Sequence, residues 1–382
     1  MSRVFFHVQH LLGIGHLRRA AVLARALAAG GFDVLLVSGG APVEGLALDG
    51  VRFHQLAPLR AADESLRDLA RLDGGAVDEA FQRRRAEALL GLLRAEAPDV
   101  VITEQFPFGR TRLRFELLPL LDTARELAKR PLIACSVRDV VRRAGPERID
   151  EAVELLDRFD AVLIHGDPRL VPFERSFAGW ARISGRAFYT GYVSERDWPG
   201  HGAQGMRSAE GKDEVVVSVG GGAVGAPLLK AAIAARAKTA LAGRTWRLLV
   251  GENLPVQERA ALAHQQGVIV EPARSDFTTL LCNATLSISQ AGYNTTIETL
   301  YRADRAVLVP FATERETEQA DRAQALAERG MVAVVQPGTL SAQSLADAVG
   351  RALAGPSLKG FPPCDIDGGR KTAALLHRLL SR

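Results

Sequence analysis

The chain has 382 residues, 47% of them hydrophobic and 24% charged, and its formal net charge at pH 7 is +4. This length exceeds one ordinary hydrophobic core and predicts two domains. No apolar run reaches about 18 residues, which argues against a transmembrane helix. The basic residues are scattered, which argues against nucleic-acid binding. Three cysteines far apart in sequence and a start without a signal-peptide core predict a cytoplasmic protein.

Short apolar runs alternate with longer amphipathic runs in the first half of the chain. The predicted strands are residues 4–8, 33–37, 51–54, 100–103, 132–136 and 161–164. The predicted helices are residues 17–29, 78–96, 113–129 and 147–159. This alternation indicates an α/β domain whose parallel sheet is covered on both faces.

The alternation stops at residues 194–213, which are rich in glycine and polar residues and predict a linker. It then resumes. Further strands are predicted at residues 214–219, 247–250, 268–270, 285–288, 306–309 and 332–335, and further helices at 227–241, 256–265, 317–329, 341–354 and 370–380. The predicted domains are residues 1–193 and 214–365, followed by a C-terminal helix in residues 366–382. Two such domains would leave a cleft at the carboxyl ends of their sheets, where ligands bind.

Residues 290–298 form the most informative stretch, a glycine turn between a predicted strand and a predicted helix. Free backbone N–H groups and the helix dipole make such a turn a seat for an anion. The short side chains of Asn294, Thr295 and Thr296 could bind phosphate oxygens, and Glu298 could accept hydrogen bonds from a sugar. The set predicts a nucleoside diphosphate site, although Asn294 and Thr295 are also ordinary helix caps.

Two other glycine turns follow predicted strands. The turn at residues 13–16 lacks a third glycine, because Arg18 occupies its place, which argues against NAD binding. The helix dipole would keep His16 neutral and available as a base, unless His16 merely caps the turn. Residues 220–225 satisfy G-x-G-x-x-G, which indicates either close approach to a phosphate or a tight strand–helix contact.

Three charged positions follow predicted strands. Glu104 could orient His16 and stabilise its imidazolium, or be a solvated loop residue. Arg138 could bind an anionic acceptor, or join Asp139 in a surface ion pair. Glu318 and the neighbouring glutamine could hold sugar hydroxyls, or form an ordinary acidic first turn of a helix. The D-x-D at residues 365–367 is interpreted as a coincidence or a helix cap, so no metal site is predicted.

Several of these motifs resemble one family of enzymes. Residues 290–298 resemble the H-C-G-W-N-S-x-x-E core of the nucleotide-sugar signature in UDP-glycosyltransferases, and residues 318–319 resemble its closing acidic–glutamine pair. The turn at residues 13–17 is similar to the G-x-G-H turn that carries their catalytic histidine, and Glu104 lies where they place its acidic partner. The second domain also resembles the bacterial peptidoglycan N-acetylglucosaminyltransferase and its glycosyltransferase family 28 relatives.

The resemblance implies a GT-B fold, in which two Rossmann-like domains face each other and a C-terminal helix returns to the first. It implies an inverting hexosyltransferase that needs no metal or cofactor. His16 would be the base and Glu104 its partner. The implied donor-binding residues are Gly221, Gly222, Gln290, Gly292, Asn294, Thr295, Glu298, Glu318 and Gln319. The implied acceptor-side residues are Gly15, Arg110 and Arg138.

The resemblance leaves the substrates open. Gln290 replaces a histidine, and residues 270–273 lack the tryptophan and glutamine that plant members place against uracil. These differences leave the nucleotide base open: UDP is expected, and dTDP and GDP are the alternatives. The acceptor hydroxyl could be lipid-linked, because the amphipathic residues 113–121 permit peripheral contact with the inner face of a membrane. Two other functions remain: an NAD(P)-dependent oxidoreductase using residues 220–225 with Glu252, and a non-catalytic sugar-nucleotide binding protein.

Overall fold

The structure is a computed structural model. It describes residues 1–11, 13–63, 68–194, 209–219, 225–251, 257, 259, 262, 265–274, 276–312, 317–336 and 338–381. The chain divides into two compact units, each with its own parallel sheet. The first unit comprises residues 1–168, 172–194 and 365–382, and the second comprises residues 169–171 and 195–364.

The first unit is built on a seven-stranded sheet. In chain order the strands are β1 Arg3–Val8, β2 Asp33–Ser38, β3 Val51–Gln55, β4 Leu59–Ala61, β5 Leu69–Arg71, β6 Val100–Glu104, β7 Leu132–Arg138, β8 Ala161–His165 and β9 Ala187–Tyr189. The sheet order is β3-β2-β1-β6-β7-β8-β9, with every neighbouring pair parallel. Strands β4 and β5 form a separate antiparallel pair.

Helices cover both faces of this sheet. They are α1 Gly15–Ala29, α2 Glu79–Glu96, α3 Arg114–Glu126, α4 Pro146–Leu156 and the single turn α5 Trp180–Ile183. Alternate residues along each strand point to opposite faces. On β1, Phe5 therefore joins the core formed with α2, α3 and α4, whereas Val4 and Phe6 join the core formed with α1.

The second unit repeats this construction with six parallel strands. They are β10 Val215–Ser218, β11 Trp246–Val250, β12 Val268–Pro272, β13 Leu286–Ser289, β14 Ala306–Leu308 and β15 Ala333–Val334, in the order β12-β11-β10-β13-β14-β15. Its described helices are α6 Ala226–Arg236, α7 Phe277–Asn283, α8 Tyr293–Arg302, α9 Glu318–Glu328 and α10 Ala342–Ala354.

The C-terminal helix α11, Gly368–Leu380, packs on the first unit. The His377 ring stacks on Phe32 with 4.2 Å between centroids, and its Nε2 donates to the Gly30 carbonyl at 2.8 Å. Just before α11, the Asp365 carbonyl accepts a hydrogen bond from Tyr192 N at 2.7 Å. The chain therefore returns to its first sheet after completing the second, as the predicted GT-B fold requires.

The α/β class and the two Rossmann-like sheets are confirmed. The β4–β5 pair, β9, α5 and α7 were not predicted, since each is too short to carry a periodic signal. Helix α3 ends at Glu126 rather than at residue 129, because Leu127 adopts an extended conformation. Most of the predicted helix at residues 256–265 lies outside the described residues.

The amphipathic pattern of residues 113–121 is explained by packing within the first unit. The side chains of Leu113, Leu117, Leu120 and Leu121 are all buried in its core. Among the described residues, no helix is both long enough and apolar enough to cross a membrane.

Candidate active site

Glu104 and His16 meet at the carboxyl edge of the first sheet. Glu104 is the last residue of β6, and His16 is the second residue of α1, which follows the neighbouring strand β1. The Nδ1 atom of His16 lies 2.8 Å from Oε1 of Glu104. Parallel strands bring their carboxyl ends to one edge of a sheet. The topology therefore pairs the two side chains that the sequence analysis placed in one catalytic group.

Glu104 is buried at 2% exposure, so its interpretation as a solvated loop residue is wrong. Burial alone would raise the pKa of this carboxyl group, but its interactions with His16 and Arg19 hold the pKa below the usual range. The carboxylate is thus ionised at neutral pH. Arg19 donates to the same oxygen that His16 contacts.

Arg19 is a site residue that the sequence analysis missed. It follows His16 by three positions in α1, so the two side chains lie on one face of the helix. The spacing of three residues could have indicated that Arg19 lies beside His16, but it does not predict that the arginine is buried. Burial of Arg19 at 2% exposure next to Glu104 compensates the carboxylate charge inside the fold.

His16 is a neutral imidazole at pH 7. Its pKa is lowered to about 3, first by burial and then by the charge of Arg138, with Glu104 acting in the opposite direction and Arg110 adding to the decrease. The helix dipole was the basis for predicting a neutral histidine, but burial is the largest cause of the lowered pKa. The carboxylate accepts the Nδ1 hydrogen, so Nε2 carries the lone pair. In the described part of the chain nothing bonds to Nε2, and the side chain is 18% exposed.

Two arginines lie near this histidine. Arg138 ends β7, and its Nη2 lies 3.4 Å from where a Cβ on Gly15 would be. Arg110 has a left-handed backbone with φ of 61° and donates from Nε to the Gln9 carbonyl at 2.7 Å. Asp139 is fully buried, which excludes the surface ion pair that was one interpretation of residues 138–139. The three predicted acceptor-side residues are therefore brought to the same edge as His16.

A buried polar row continues from Glu104 across the next strands. Ser136 pairs with Glu104 in the sheet register, and its hydroxyl lies 2.9 Å from Nε2 of His165. Nδ1 of His165 lies 2.8 Å from the Thr190 hydroxyl. Burial lowers the pKa of His165 well below its usual value, so it is neutral. This row was not predicted, because its members are far apart in the chain.

The second candidate site lies at the carboxyl edge of the second sheet. Strand β13 ends at Ser289, and α8 begins at Tyr293 after the turn at residues 290–292. Gly292 is the N-cap, with φ of −62° and ψ of 149°, and no side chain caps the helix. These angles suit any residue, and a Cβ at Gly292 would meet nothing within 4 Å. The glycine leaves open space directly beside the first helical N–H groups.

The side chains of α8 fit a polar ligand at this end. Asn294 and Thr295 lie in the first turn and are half-buried, as is Glu298 further along the helix. Thr296 is 2% exposed, and within the described residues its hydroxyl has no hydrogen-bond partner. The half-buried side chains of Asn294, Thr295 and Glu298 are therefore the polar groups that this helix offers to a ligand.

Strand β14 pairs with β13, and the loop after β14 leads toward α9, whose first residues are Glu318 and Gln319. The carbonyl oxygen of the Gln319 side chain accepts from Phe311 N at 3.1 Å, which directs its amide N–H groups elsewhere. From the same helix, Arg322 donates from Nη1 to the Ala291 carbonyl at 2.9 Å. These contacts join the two predicted donor segments at one edge. Arg322 was not predicted.

The remaining predicted residues are distributed as follows. Gly221 and Gly222 lie outside the described residues, as does Glu252. Gly225 is described as the N-cap of α6, and a Cβ there would lie 2.3 Å from Cβ of Val219. Close contact between strand and helix therefore requires this glycine, one of the two interpretations of the 220–225 turn.

The D-x-D carboxylates are held by groups of the protein. Asp365 pairs with Lys371 through its carboxylate, and Asp367 pairs with Arg370. Asp367 is also the N-cap residue of α11, although its side chain makes no capping hydrogen bond. Within the described ranges, no group of three or more histidine, cysteine, aspartate or glutamate residues could hold a metal ion.

Comparison with known proteins identifies the second unit. Residues 216–359 match the family model of the Glycosyltransferase family 28 C-terminal domain. No curated protein matches the chain in sequence.

Three solved structures are similar over both units. MurG of Acinetobacter baumannii is 14% identical, with a TM-score of 0.60 over 98% of this chain and 99% of that one. The spinosyn rhamnosyltransferase SpnG complexed with thymidine diphosphate is 18% identical, with a TM-score of 0.60 over 100% and 96%. An indoxyl-glucosylating UDP-glucosyltransferase from Polygonum tinctorium is 13% identical, with a TM-score of 0.61 over 100% and 93%.

These findings agree on fold and enzyme class. The structural likenesses give the chain a GT-B fold, and the matched domain is that of a glycosyltransferase. The chain is therefore a GT-B glycosyltransferase that resembles family 28 and uses a nucleotide sugar.

Proposed function

We propose that the protein is an inverting glycosyltransferase that moves a sugar from a nucleoside diphosphate to an acceptor hydroxyl without a metal ion. The observation that supports this most directly is the His16–Glu104 pair, with its 2.8 Å contact and a neutral imidazole whose Nε2 is open. A neutral imidazole with an exposed lone pair is a general base, and the carboxylate stabilises the imidazolium that forms.

The reaction follows from these groups. Nε2 of His16 takes the acceptor hydroxyl proton as the oxygen attacks the anomeric carbon. The bond from that carbon to the diphosphate oxygen breaks, and the nucleoside diphosphate leaves with the electron pair. A single displacement of this kind inverts the anomeric configuration.

The negative charge that develops on the leaving diphosphate needs stabilisation. The N-terminus of α8 offers backbone N–H groups and the positive end of a helix dipole, together with the side chains of Asn294 and Thr295. In this proposal Glu298 binds the ribose, and Glu318 and Gln319 bind the donor sugar. Metal independence is tested by assay in excess EDTA, in which turnover should be unchanged.

For the nucleotide base of the donor and for the acceptor, the proposal names a class of molecule and not a single compound. UDP is the expected nucleotide, and dTDP is tested beside it because the similar SpnG structure contains thymidine diphosphate. Arg110 and Arg138 would contact the acceptor, which could be lipid-linked. Cytoplasmic location, with or without contact at the inner face of a membrane, stays a prediction.

Isothermal titration with UDP, dTDP and GDP tests the donor site. At least one should bind, and Glu298→Ala should weaken that binding. Absence of binding by all three would refute the proposal. His16→Ala should abolish turnover but retain nucleotide binding, whereas a purely sugar-nucleotide binding protein would keep its full function in that variant.

An NMR titration of the His16 ring tests the proposed base without any substrate. Its pKa should lie far below 6.5, and Arg138→Gln should raise it without restoring 6.5, because burial is the larger cause. A His16 ring that titrates near 6.5 in the wild-type protein would exclude this account of a base kept neutral by burial.

A further inference from the structure

Arg322 of α9 contacts the turn that precedes α8, although the two segments are about 30 residues apart in sequence. It is 2% exposed and among the largest fully buried side chains of the described residues. Its Nη1 donates to the Ala291 carbonyl at 2.9 Å, and its guanidinium lies 5.7 Å from the centre of the Tyr293 ring. Burying a guanidinium costs free energy, so the burial of Arg322 indicates a structural or binding role.

The contact with Ala291 fixes the direction of the next N–H group. The peptide unit between Ala291 and Gly292 is planar and trans, so its carbonyl and its N–H point in opposite directions. A guanidinium that holds the Ala291 oxygen on one side therefore turns the Gly292 N–H to the other side. That N–H belongs to the N-cap residue of α8, and a helix has no partner of its own for the N–H groups at its start.

Among the residues that the structure describes, the hydrogen bond found at the carbonyl of this peptide unit is the one from Arg322. Gly292 has no side chain to resist rotation, and glycine allows both signs of φ. The neighbouring residue Gln290 is held through its N–H, which donates to the Ser218 carbonyl at 3.2 Å. Arg322 therefore supplies the restraint on the far side of the turn. Gln319, three positions earlier on α9, similarly holds Phe311 N at 3.1 Å after the adjacent strand.

We propose that Arg322 is a positioning residue for diphosphate binding, acting through the Ala291 carbonyl to hold the Gly292 N–H toward the anion. This inference rests on the proposed donor site and adds to it a residue on a different helix. Loss of Arg322 should let the peptide rotate and should remove one N–H donor from the diphosphate. A hydrogen bond to a charged group of this kind corresponds to about a tenfold change in affinity or more.

The test compares Arg322→Met with the wild-type protein by isothermal titration, using the nucleoside diphosphate that the wild-type protein binds and the corresponding nucleoside without phosphates. The dissociation constant of the diphosphate should rise about tenfold, and that of the nucleoside should stay within about twofold. Arg322→Lys keeps a donor and should recover part of the loss. Arg329→Met is the matched control, because Arg329 donates to backbone carbonyls at the other end of α9.

The outcomes separate the two levels of the proposal. If the wild-type protein binds no nucleoside diphosphate, the proposed function fails. If the wild-type protein binds but Arg322→Met binds equally well, or loses diphosphate and nucleoside affinity alike, the positioning role is refuted. Should the methionine variant not fold, Arg322→Gln serves instead, since its side chain is polar but too short to reach Ala291, and the same tenfold loss is expected.

Discussion

Replacing Glu104 with glutamine tests the arrangement in the first unit most directly. The substitution keeps the shape of the side chain and an oxygen that can accept from Arg19. It removes the negative charge that lies 2.8 Å from the His16 ring. The base would still be in place, but the imidazolium formed during transfer would lose its counter-charge.

The size of the effect follows from the geometry. A charge on the imidazole and one on the carboxylate, with centres about 4 Å apart, interact by about 4 kcal/mol at an effective dielectric constant of roughly 20. Each 1.4 kcal/mol or so of lost transition-state stabilisation slows the reaction about tenfold. We therefore expect Glu104→Gln to lower kcat by about three orders of magnitude.

Stability should fall as well, and a matched variant separates the two effects. Removing one charge of a buried pair costs about 3–5 kcal/mol, and Arg19 would lose the Glu104 carboxylate. Glu116→Gln provides the control: Glu116 is also buried in the first unit and accepts from Nε of Arg85 at 2.6 Å. Both variants should be destabilised in urea titrations to a similar extent.

The assay measures release of nucleoside diphosphate from the donor identified by thermal shift, at a temperature where circular dichroism shows each variant folded. Glu104→Gln should turn over about a thousandfold more slowly than the wild-type protein, whereas Glu116→Gln should stay within about tenfold. If both variants lose turnover by the same factor, Glu104 has only a structural role and the proposed pairing with His16 is wrong.

Three further predictions concern stability. Because burial lowers the pKa of His165, the unfolded chain binds a proton at acidic pH that the folded chain excludes. The free energy of unfolding should therefore decrease below about pH 6.5, by up to about 1.4 kcal/mol per pH unit from this histidine. His165→Gln should reduce that slope in urea titrations. Gly225→Ala should cost about 1–3 kcal/mol of unfolding free energy, since its Cβ would lie 2.3 Å from Val219 Cβ; an unchanged urea midpoint would contradict this. His377→Ala removes the stacking on Phe32 and should speed hydrogen exchange in α11, and exchange at the wild-type rate would refute that anchoring role.

The sequence determined the fold class because the signals for it are local. Apolar runs such as residues 132–136 and amphipathic runs such as residues 79–96 repeat in a strand–helix order that permits few arrangements other than parallel sheets covered by helices. The glycine turns could be placed at strand ends for the same reason. Since ligands of such sheets bind at those ends, position indicated candidates such as His16, Glu104 and Glu298, and the resemblance to glycosyltransferases implied the others.

Short elements and element ends could not be predicted in this way. Strand β9 has three residues and helix α5 has four, so neither shows a period that distinguishes it from a loop. Strand β6 extends one residue further than its apolar run, and that residue is Glu104. The sequence pattern could not include a carboxylate in a buried strand, because Arg19, which compensates its charge, lies in another element, α1.

Tertiary structure alone decided which polar side chains are buried together. Arg19, His165 and Arg322 look like ordinary surface residues in the sequence, and each is at most 2% exposed in the fold. Their partners come from other strands and helices, so no local pattern records them. The neutral state of His16 was predicted from a helix dipole that the sequence shows, yet its main cause is burial, which exists only once the chain has packed.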